Sequence, residues 1–228
     1  MNGLQRLVLT PDLHKAVKKL ERHCTHIGYM WTEWSYLFAP PMEHMKLMND
    51  TCPDVFCIYR ESVIQDIILH ITKFTDESKY KNQQNDCLPW LRDNLPPGRV
   101  KDELAAALIN LQPKLQRIRT WRNKMIAHAE STRSLQDELL PEVHQALADI
   151  GEVITDISNA INLVTMNVVG GDVARIMHHT TIAKKGAQRL IHFLKDGYKL
   201  HQQQLEQNKK DQNEMFPATP SASSPTSP

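Results

Sequence analysis

Apolar residues recur along most of this chain at alternating four- and three-residue steps, the spacing that predicts one buried face of an amphipathic helix. The first such stretch follows Thr10-Pro11-Asp12, where a hydroxyl able to cap a helix precedes a proline at the first helical position. A long first helix is therefore expected, ending before Pro40-Pro41. Its buried side is predicted to hold Leu13, Val17, Leu20, Cys24, Ile27, Trp31, Trp34 and Phe38.

Further stretches show the same spacing and predict further helices. One begins at Thr51-Cys52-Pro53, one runs from about Val100 to Glu130, one opens at Pro141, and the last follows Gly170-Gly171 and reaches Leu205. The helix after Val100 contains a proline, at position 113, that we expect to kink the helix or split it in two, because proline removes a backbone donor.

No segment alternates with a period of two, so the predicted fold class is all-α, an up-and-down bundle of four to five long helices. The polar stretch 76–97 is predicted to be a long loop, pinned to the bundle by the apolar patch at 88–91. Residues 1–9 are expected to be a lead-in and 10–207 the bundle. The composition of 208–228 predicts a disordered tail.

The composition is that of a soluble globular protein, with 228 residues, 41% hydrophobic residues and a formal net charge of +1. Such a small net charge provides no overall attraction for nucleic acid, so any basic surface must be local. No apolar run approaches the ~18 residues that a membrane span needs, and the N-terminus lacks a signal peptide. We therefore expect no membrane contact and a cytoplasmic location.

The sequence predicts neither a metal site nor a cofactor. The four cysteines show no paired spacing and are expected to be reduced thiols. His23-Cys24-Thr25-His26 contains possible ligands, but Cys24 lies in the apolar phase and no further ligand stands nearby in the sequence. His70 is expected to be a packed or interfacial residue. The chain also lacks a glycine-rich phosphate loop, GxSxG and HExxH, which excludes many common enzyme classes.

The helix after Val100 carries an arginine at a position predicted to face the core. Its apolar positions end in Leu115 and Ile118, and the next position in phase is Arg122. A buried charge is costly unless it is paired or opens onto a polar cleft. Two interpretations stay open, namely pairing with an acid such as Glu61 or Asp66, or a functional role.

A cluster of cations and one aromatic residue surrounds this arginine and predicts a local RNA-binding surface. The alternative is a solvated helix end, where basic residues offset the negative end of the helix dipole. The residues of the cluster besides Arg122 are Lys114, Arg117, Arg119, Trp121 and Lys124.

Arg122-Asn123, four further residues and His128 resemble the R-polar-x4-H signature of the HEPN superfamily of helical-bundle ribonucleases. IRTWRNKMIAHAE, together with the upstream blocks WSYLF and DIILHITKFTDE, resembles the abortive-infection AbiU-type branch over roughly residues 10–170. The residue two after His128 is Glu130 instead of the tyrosine that is adenylylated in another HEPN branch. That regulation is therefore not carried over.

The resemblance implies metal-independent cleavage of RNA, in which the ribose 2′-hydroxyl attacks the adjacent phosphate. Proton transfer is assigned to His128 and phosphate binding to Arg122. Asn123 is expected to orient the phosphate or the imidazole. For Glu130 two interpretations stay open: it holds the imidazole tautomer or sets the pKa of the imidazole, or it is an exposed carboxylate without a role.

The reaction needs both a base and an acid, whereas the motif supplies one histidine per chain. A homodimer with a composite active site is therefore expected, as the resemblance also implies. The resemblance further implies a role in phage defence, with a possible neutralising partner protein. Two alternatives stay open: a non-catalytic helical interaction or scaffold protein, and an RNA- or nucleotide-binding module without turnover.

Overall fold

The structure of the protein is a computed structural model, which describes residues 7–39, 43–80, 83–127, 141–168 and 179–215. Five long helices and two short ones occupy these ranges, so the predicted all-α bundle is confirmed. The helices are α1 (Pro11–Phe38), α2 (Glu43–Thr51), α3 (Pro53–Thr75), α4 (Leu88–Asn94), α5 (Arg99–Ala127), α6 (Pro141–Met166) and α7 (His179–Met215). No helix in the described part of the chain is long and apolar enough to cross a membrane.

α1 lies at the centre of the bundle, where it packs against α3, α6 and α7. The Thr10 hydroxyl accepts a hydrogen bond from the Leu13 backbone N–H at 3.3 Å, which confirms the predicted helix start. Every position of the predicted apolar stripe is buried except Trp31, which is partly buried. Trp31 stacks on Trp34 with ring centroids 5.5 Å apart, and the Trp34 indole donates to the Arg60 carbonyl at 3.0 Å. Both tryptophans are thus packing residues, as expected.

The polar stretch after α3 is more ordered than the sequence predicted. β1 (Lys79–Tyr80) and β2 (Gln83–Gln84) form a short antiparallel pair, and α4 follows. The apolar patch pins the segment to the bundle as expected, because Leu88 and Leu91 are fully buried. The expectation of a loop was wrong at this point, because Pro89 stands in the first turn of α4, where its missing N–H costs nothing.

α5 is one continuous helix through Pro113, so the expected split into two helices was wrong. Pro113 is exposed, which places the missing backbone hydrogen bond on the side of the helix that faces water. Leu104, Leu111, Leu115 and Ile118 are fully buried on the opposite side and pack α5 against the rest of the bundle. Tertiary packing of this apolar face therefore outweighs the local cost of the proline.

The last two helices differ in how far they are buried. The apolar stripe of α6 is buried from Ile150 to Val164, as predicted. α7 packs on α1 and α2, and its residues Ala183, Ala187 and Ile191 are buried. Leu205, the last apolar position of the predicted helix, was expected to be buried but is 40% exposed. α7 also continues to Met215, past the boundary at 208 where the predicted tail begins, and residues 216–228 lie outside the described ranges.

Candidate functional site

The C-terminal part of α5 brings together two of the predicted site residues. Arg122 is partly buried and Asn123 is exposed. The Arg122 guanidinium donates from Nε and Nη2 to the Asn123 side-chain oxygen, at 3.2 and 3.1 Å. Because this acceptor is neutral, the guanidinium keeps its full positive charge, and an anion can replace the amide as its partner.

The carboxylates that the sequence offered as partners for Arg122 have other contacts. Glu61 accepts a hydrogen bond from the Cys57 thiol at 3.5 Å, and an Asp66 oxygen lies 3.7 Å from His70 Nε2. Within the described part of the chain, Arg122 forms no ion pair. The structural interpretation, in which Arg122 is buried against an acid of a neighbouring helix, therefore gains no support from Glu61 or Asp66.

Two of the predicted catalytic residues follow directly after the described end of α5. His128 and Glu130 lie outside the described residues, and so does the side chain of Lys124, whose backbone is helical. α5 is described as far as Ala127, the residue before His128.

Lys114 is held between two carboxylates of α6. Its ammonium group lies 2.8 Å from Glu152 and 3.0 Å from Asp156, and these hydrogen bonds raise the pKa of the lysine above its usual value. An ammonium between two carboxylates contributes little net positive charge to the surface. In this structure Lys114 is a contact between α5 and α6, and its predicted role in RNA binding stays a prediction.

Arg117 forms a bidentate ion pair with Asp149 of α6. Its Nε lies 2.5 Å from one carboxylate oxygen and its Nη2 lies 2.8 Å from the other. Asp149 is only 2% exposed, so the arginine compensates a carboxylate that α6 buries next to Ile150. Arg117 therefore fixes the position of α5 on α6, and its predicted contact with RNA likewise stays a prediction.

Trp121 belongs to the apolar core, with only 7% of its surface exposed. A base can stack only on an aromatic ring whose face is accessible. In this conformation Trp121 offers no such face, and stacking on RNA would need the end of α5 to rearrange.

Arg119 lies on the wall of a cavity of about 720 Å³ between α5, α4 and the end of α3. Its guanidinium donates to the Thr75 carbonyl at 2.8 Å and to the Thr75 hydroxyl at 3.2 Å. Lys79 and Arg92 also line the cavity, as do the carboxylates of Asp76 and Glu77.

Arg119 and Arg122 lie three residues apart on α5 and thus on the same side of the helix. The cavity therefore adjoins the candidate site. The cavity could not be predicted from sequence, because its lining residues come from α3, α4, α5 and the segment after α3, and only Arg119 was among the predicted site residues.

A comparison with protein-family models matches residues 10–185 to a HEPN-type family described as AbiU2. The match spans the three sequence blocks on which the resemblance rested, and it confirms that resemblance. Neither the search of curated proteins nor the search of solved structures gave a match.

Proposed function

The chain belongs to the AbiU2 family of HEPN domains, and from this premise we propose that it is a metal-independent endoribonuclease. The observation that carries the proposal is the sequence motif Arg122-Asn123-x4-His128, which begins in α5 and lies inside a family match that covers most of the chain. The proposed reaction is attack of a ribose 2′-hydroxyl on the adjacent phosphorus.

The reaction requires two proton transfers and one stabilised charge. A base takes the proton of the 2′-hydroxyl as its oxygen bonds to phosphorus, and an acid protonates the 5′-oxygen as the bond from phosphorus to that oxygen breaks. The products are a 2′,3′-cyclic phosphate and a 5′-hydroxyl. We assign proton transfer to His128, because imidazole exchanges protons near neutral pH. Asn123 and Glu130 are assigned to orienting the phosphate and the imidazole.

The contacts of Arg122 support its assignment to the phosphate. Its guanidinium is bonded to one neutral amide oxygen and to no carboxylate within the described part of the chain. A planar, permanently charged fork can bind two oxygens of a phosphate and stabilise the charge that develops on phosphorus. A phosphate would be the stronger acceptor, so exchange of Asn123 for substrate is favourable.

The cavity beside Arg119 supports a path for the RNA backbone next to the cleaved bond. Arg119 binds only the two Thr75 oxygens among the described residues, and Lys79 lines the same cavity. Arg92 also lines it, but its guanidinium is paired with the Asp93 carboxylate at 2.6 Å. Neighbouring phosphates of a single strand can lie along such a row of cations. Asp76 and Glu77 line the same cavity, and their carboxylates would weaken this attraction.

The assembly and the biological role form part of the same proposal. One motif supplies one histidine, so we propose a homodimer in which the two copies of the motif form a composite site and provide both base and acid. An abortive-infection nuclease damages RNA of its own cell. We therefore include phage defence as the role, and a neutralising partner protein that restrains the activity.

The test is RNA cleavage by the purified protein in the presence of excess EDTA. We expect cleavage to persist in EDTA and the rate to fall by about 100-fold or more in His128→Ala, because general acid–base catalysis contributes this much. Arg122→Lys is also expected to lose activity, since lysine keeps the charge but not the fork. His192→Ala and Arg189→Ala, at exposed positions of α7, are the matched controls and should cleave at the wild-type rate.

A non-catalytic interaction protein is the alternative function, and some contacts of α5 support it. Lys114 and Arg117 bind carboxylates of α6 and Trp121 is buried, so much of this segment of α5 also serves packing. No cleavage by folded wild-type protein, together with no RNA binding, would support this alternative. Binding of RNA without any product would instead support a binding module.

A further inference from the structure

Three histidines and one aspartate meet between α1 and α3, and none of them belongs to the proposed cleavage motif. His23 and His26 lie on α1, whereas Asp66 and His70 lie on α3. The His70 ring lies 5.9 Å from that of His23 and 5.6 Å from that of His26, edge to face in both cases. We call these four residues the histidine cluster.

His26, Asp66 and His70 have the geometry of a partly assembled metal site. One side-chain nitrogen or oxygen of each lies within 4.8 Å of those of the other two. Ligand atoms around a tetrahedral zinc ion lie about 3.3 Å apart, as follows from metal–ligand distances of about 2.0 Å. Because His26 and Asp66 are exposed, small side-chain rotations can close this gap.

Neither nitrogen of the His70 ring has a hydrogen bond within the described part of the chain. Its Nδ1 is buried without a partner, and its Nε2 lies 3.7 Å from the Asp66 carboxylate, too far for a hydrogen bond. A buried polar atom without a partner is unusual in a folded protein. Because Nδ1 is buried, Nε2, which lies near Asp66, is the nitrogen that can give its lone pair to a cation.

The charge state of the cluster also suits a cation. Asp66 adds a carboxylate, which offsets part of the positive charge that an ion would bring.

We propose that His26, Asp66 and His70 bind a divalent transition-metal ion, for which zinc is the best-suited candidate. Imidazole and carboxylate together match the ligand preference of zinc, and the site joins two helices that are distant in sequence. His23 or water completes the coordination. The ion would link α1 to α3, and the inference does not depend on whether the chain cleaves RNA.

Zinc binding by untagged, full-length protein tests the proposal, with zinc chloride as the titrant in a calorimeter. We expect one zinc ion per chain and a loss of affinity of at least about tenfold in His26→Ala and in Asp66→Asn. Bound zinc should also raise the Tm by about 3 °C at tenfold excess over Kd. Both variants change exposed side chains, so they should fold, which circular dichroism will verify.

The matched control is the pair His192 and Asp196 on α7. It has the same four-residue spacing of histidine and aspartate, with Nε2 and Oδ2 3.4 Å apart, but its side chains are more exposed. His192→Ala should leave zinc affinity unchanged. The proposal is overturned if wild-type protein binds no zinc, if His26→Ala and Asp66→Asn bind it as well as wild type does, or if His192→Ala weakens binding equally.

Discussion

Four cations in the C-terminal half of α5 fall into two groups according to the atoms that they contact. Lys114 and Arg117 bind carboxylates of α6, where three acidic side chains face two basic ones. Arg119 and Arg122 bind only neutral oxygens of the described chain and so keep their full charge. The first group stabilises the contact between α5 and α6, and the second is available to phosphate.

The salt dependence of RNA binding measures this division directly. The logarithm of the RNA-binding constant falls linearly with the logarithm of the salt concentration. For a single strand, each phosphate contact made by a cation contributes about 0.7 to the steepness of this fall. In a His128→Ala background, which prevents cleavage, we expect Arg119→Gln and Arg122→Gln each to reduce the slope by about 0.7. The measurement is fluorescence anisotropy of labelled RNA between about 50 and 200 mM salt.

Lys114→Gln is the control for this series, because its ammonium group is already held by two carboxylates. Its slope should equal that of the parent protein. A slope reduced as much as in the arginine variants would contradict the division into two groups. Such a result would favour the wider RNA-binding surface that the sequence predicted.

Sequence could identify these residues but not assign their partners. The spacing of Arg122 and His128 is local and visible in one short stretch of sequence. The partner of Arg117 is Asp149, 32 positions away on another helix, and an acid next to Ile150 gives no sign of which cation it meets. The ligands of the histidine cluster are likewise about 40 positions apart, so His23 to His26 looked isolated.

At the level of helices, the predicted apolar stripes match the buried faces of those helices that are packed along most of their length. α1 and α6 follow their stripes closely because each is packed along most of its described length. The predicted and observed helices differ where one type of residue is compatible with two local structures. Proline was expected to start some helices and to interrupt others, yet Pro89 stands in the first turn of α4 within a predicted loop, and Pro113 lies inside a continuous α5.

The contact between α1 and α6 depends on a glycine. A Cβ atom added at Gly151 would lie 3.0 Å from Nε1 of Trp31, whereas one added at Gly28 would meet nothing within 4 Å. Gly28→Ala should therefore raise the free energy of unfolding by about 0.5–1 kcal/mol, the usual gain from alanine in a helix. Gly151→Ala should lose that gain and lower stability by up to about 2 kcal/mol, because it overpacks the interface.

Urea unfolding followed by circular dichroism measures both glycine variants. The comparison isolates the contact with Trp31, because both glycines lie inside long helices. Equal stabilisation by the two substitutions would show that α1 and α6 do not approach as closely at this point as the structure places them.

At the level of the whole molecule, the proposed cleavage requires two chains. The single-chain motif provides one histidine for two proton transfers, so cleavage should depend on dimerisation. We expect a dimer by sedimentation at micromolar concentration, and a specific activity that falls on dilution below the dimer Kd. A monomer that still cleaves RNA at full rate would contradict the composite site.

The central claim is metal-free cleavage by the 2′-hydroxyl, and the chain ends of the RNA products test it most directly. Wild-type protein in excess EDTA should yield 2′,3′-cyclic phosphate and 5′-hydroxyl ends, and His128→Ala should yield almost no product. Cleavage that stops in EDTA, or products that carry 3′-hydroxyl ends, would contradict the account, as would unchanged cleavage by His128→Ala.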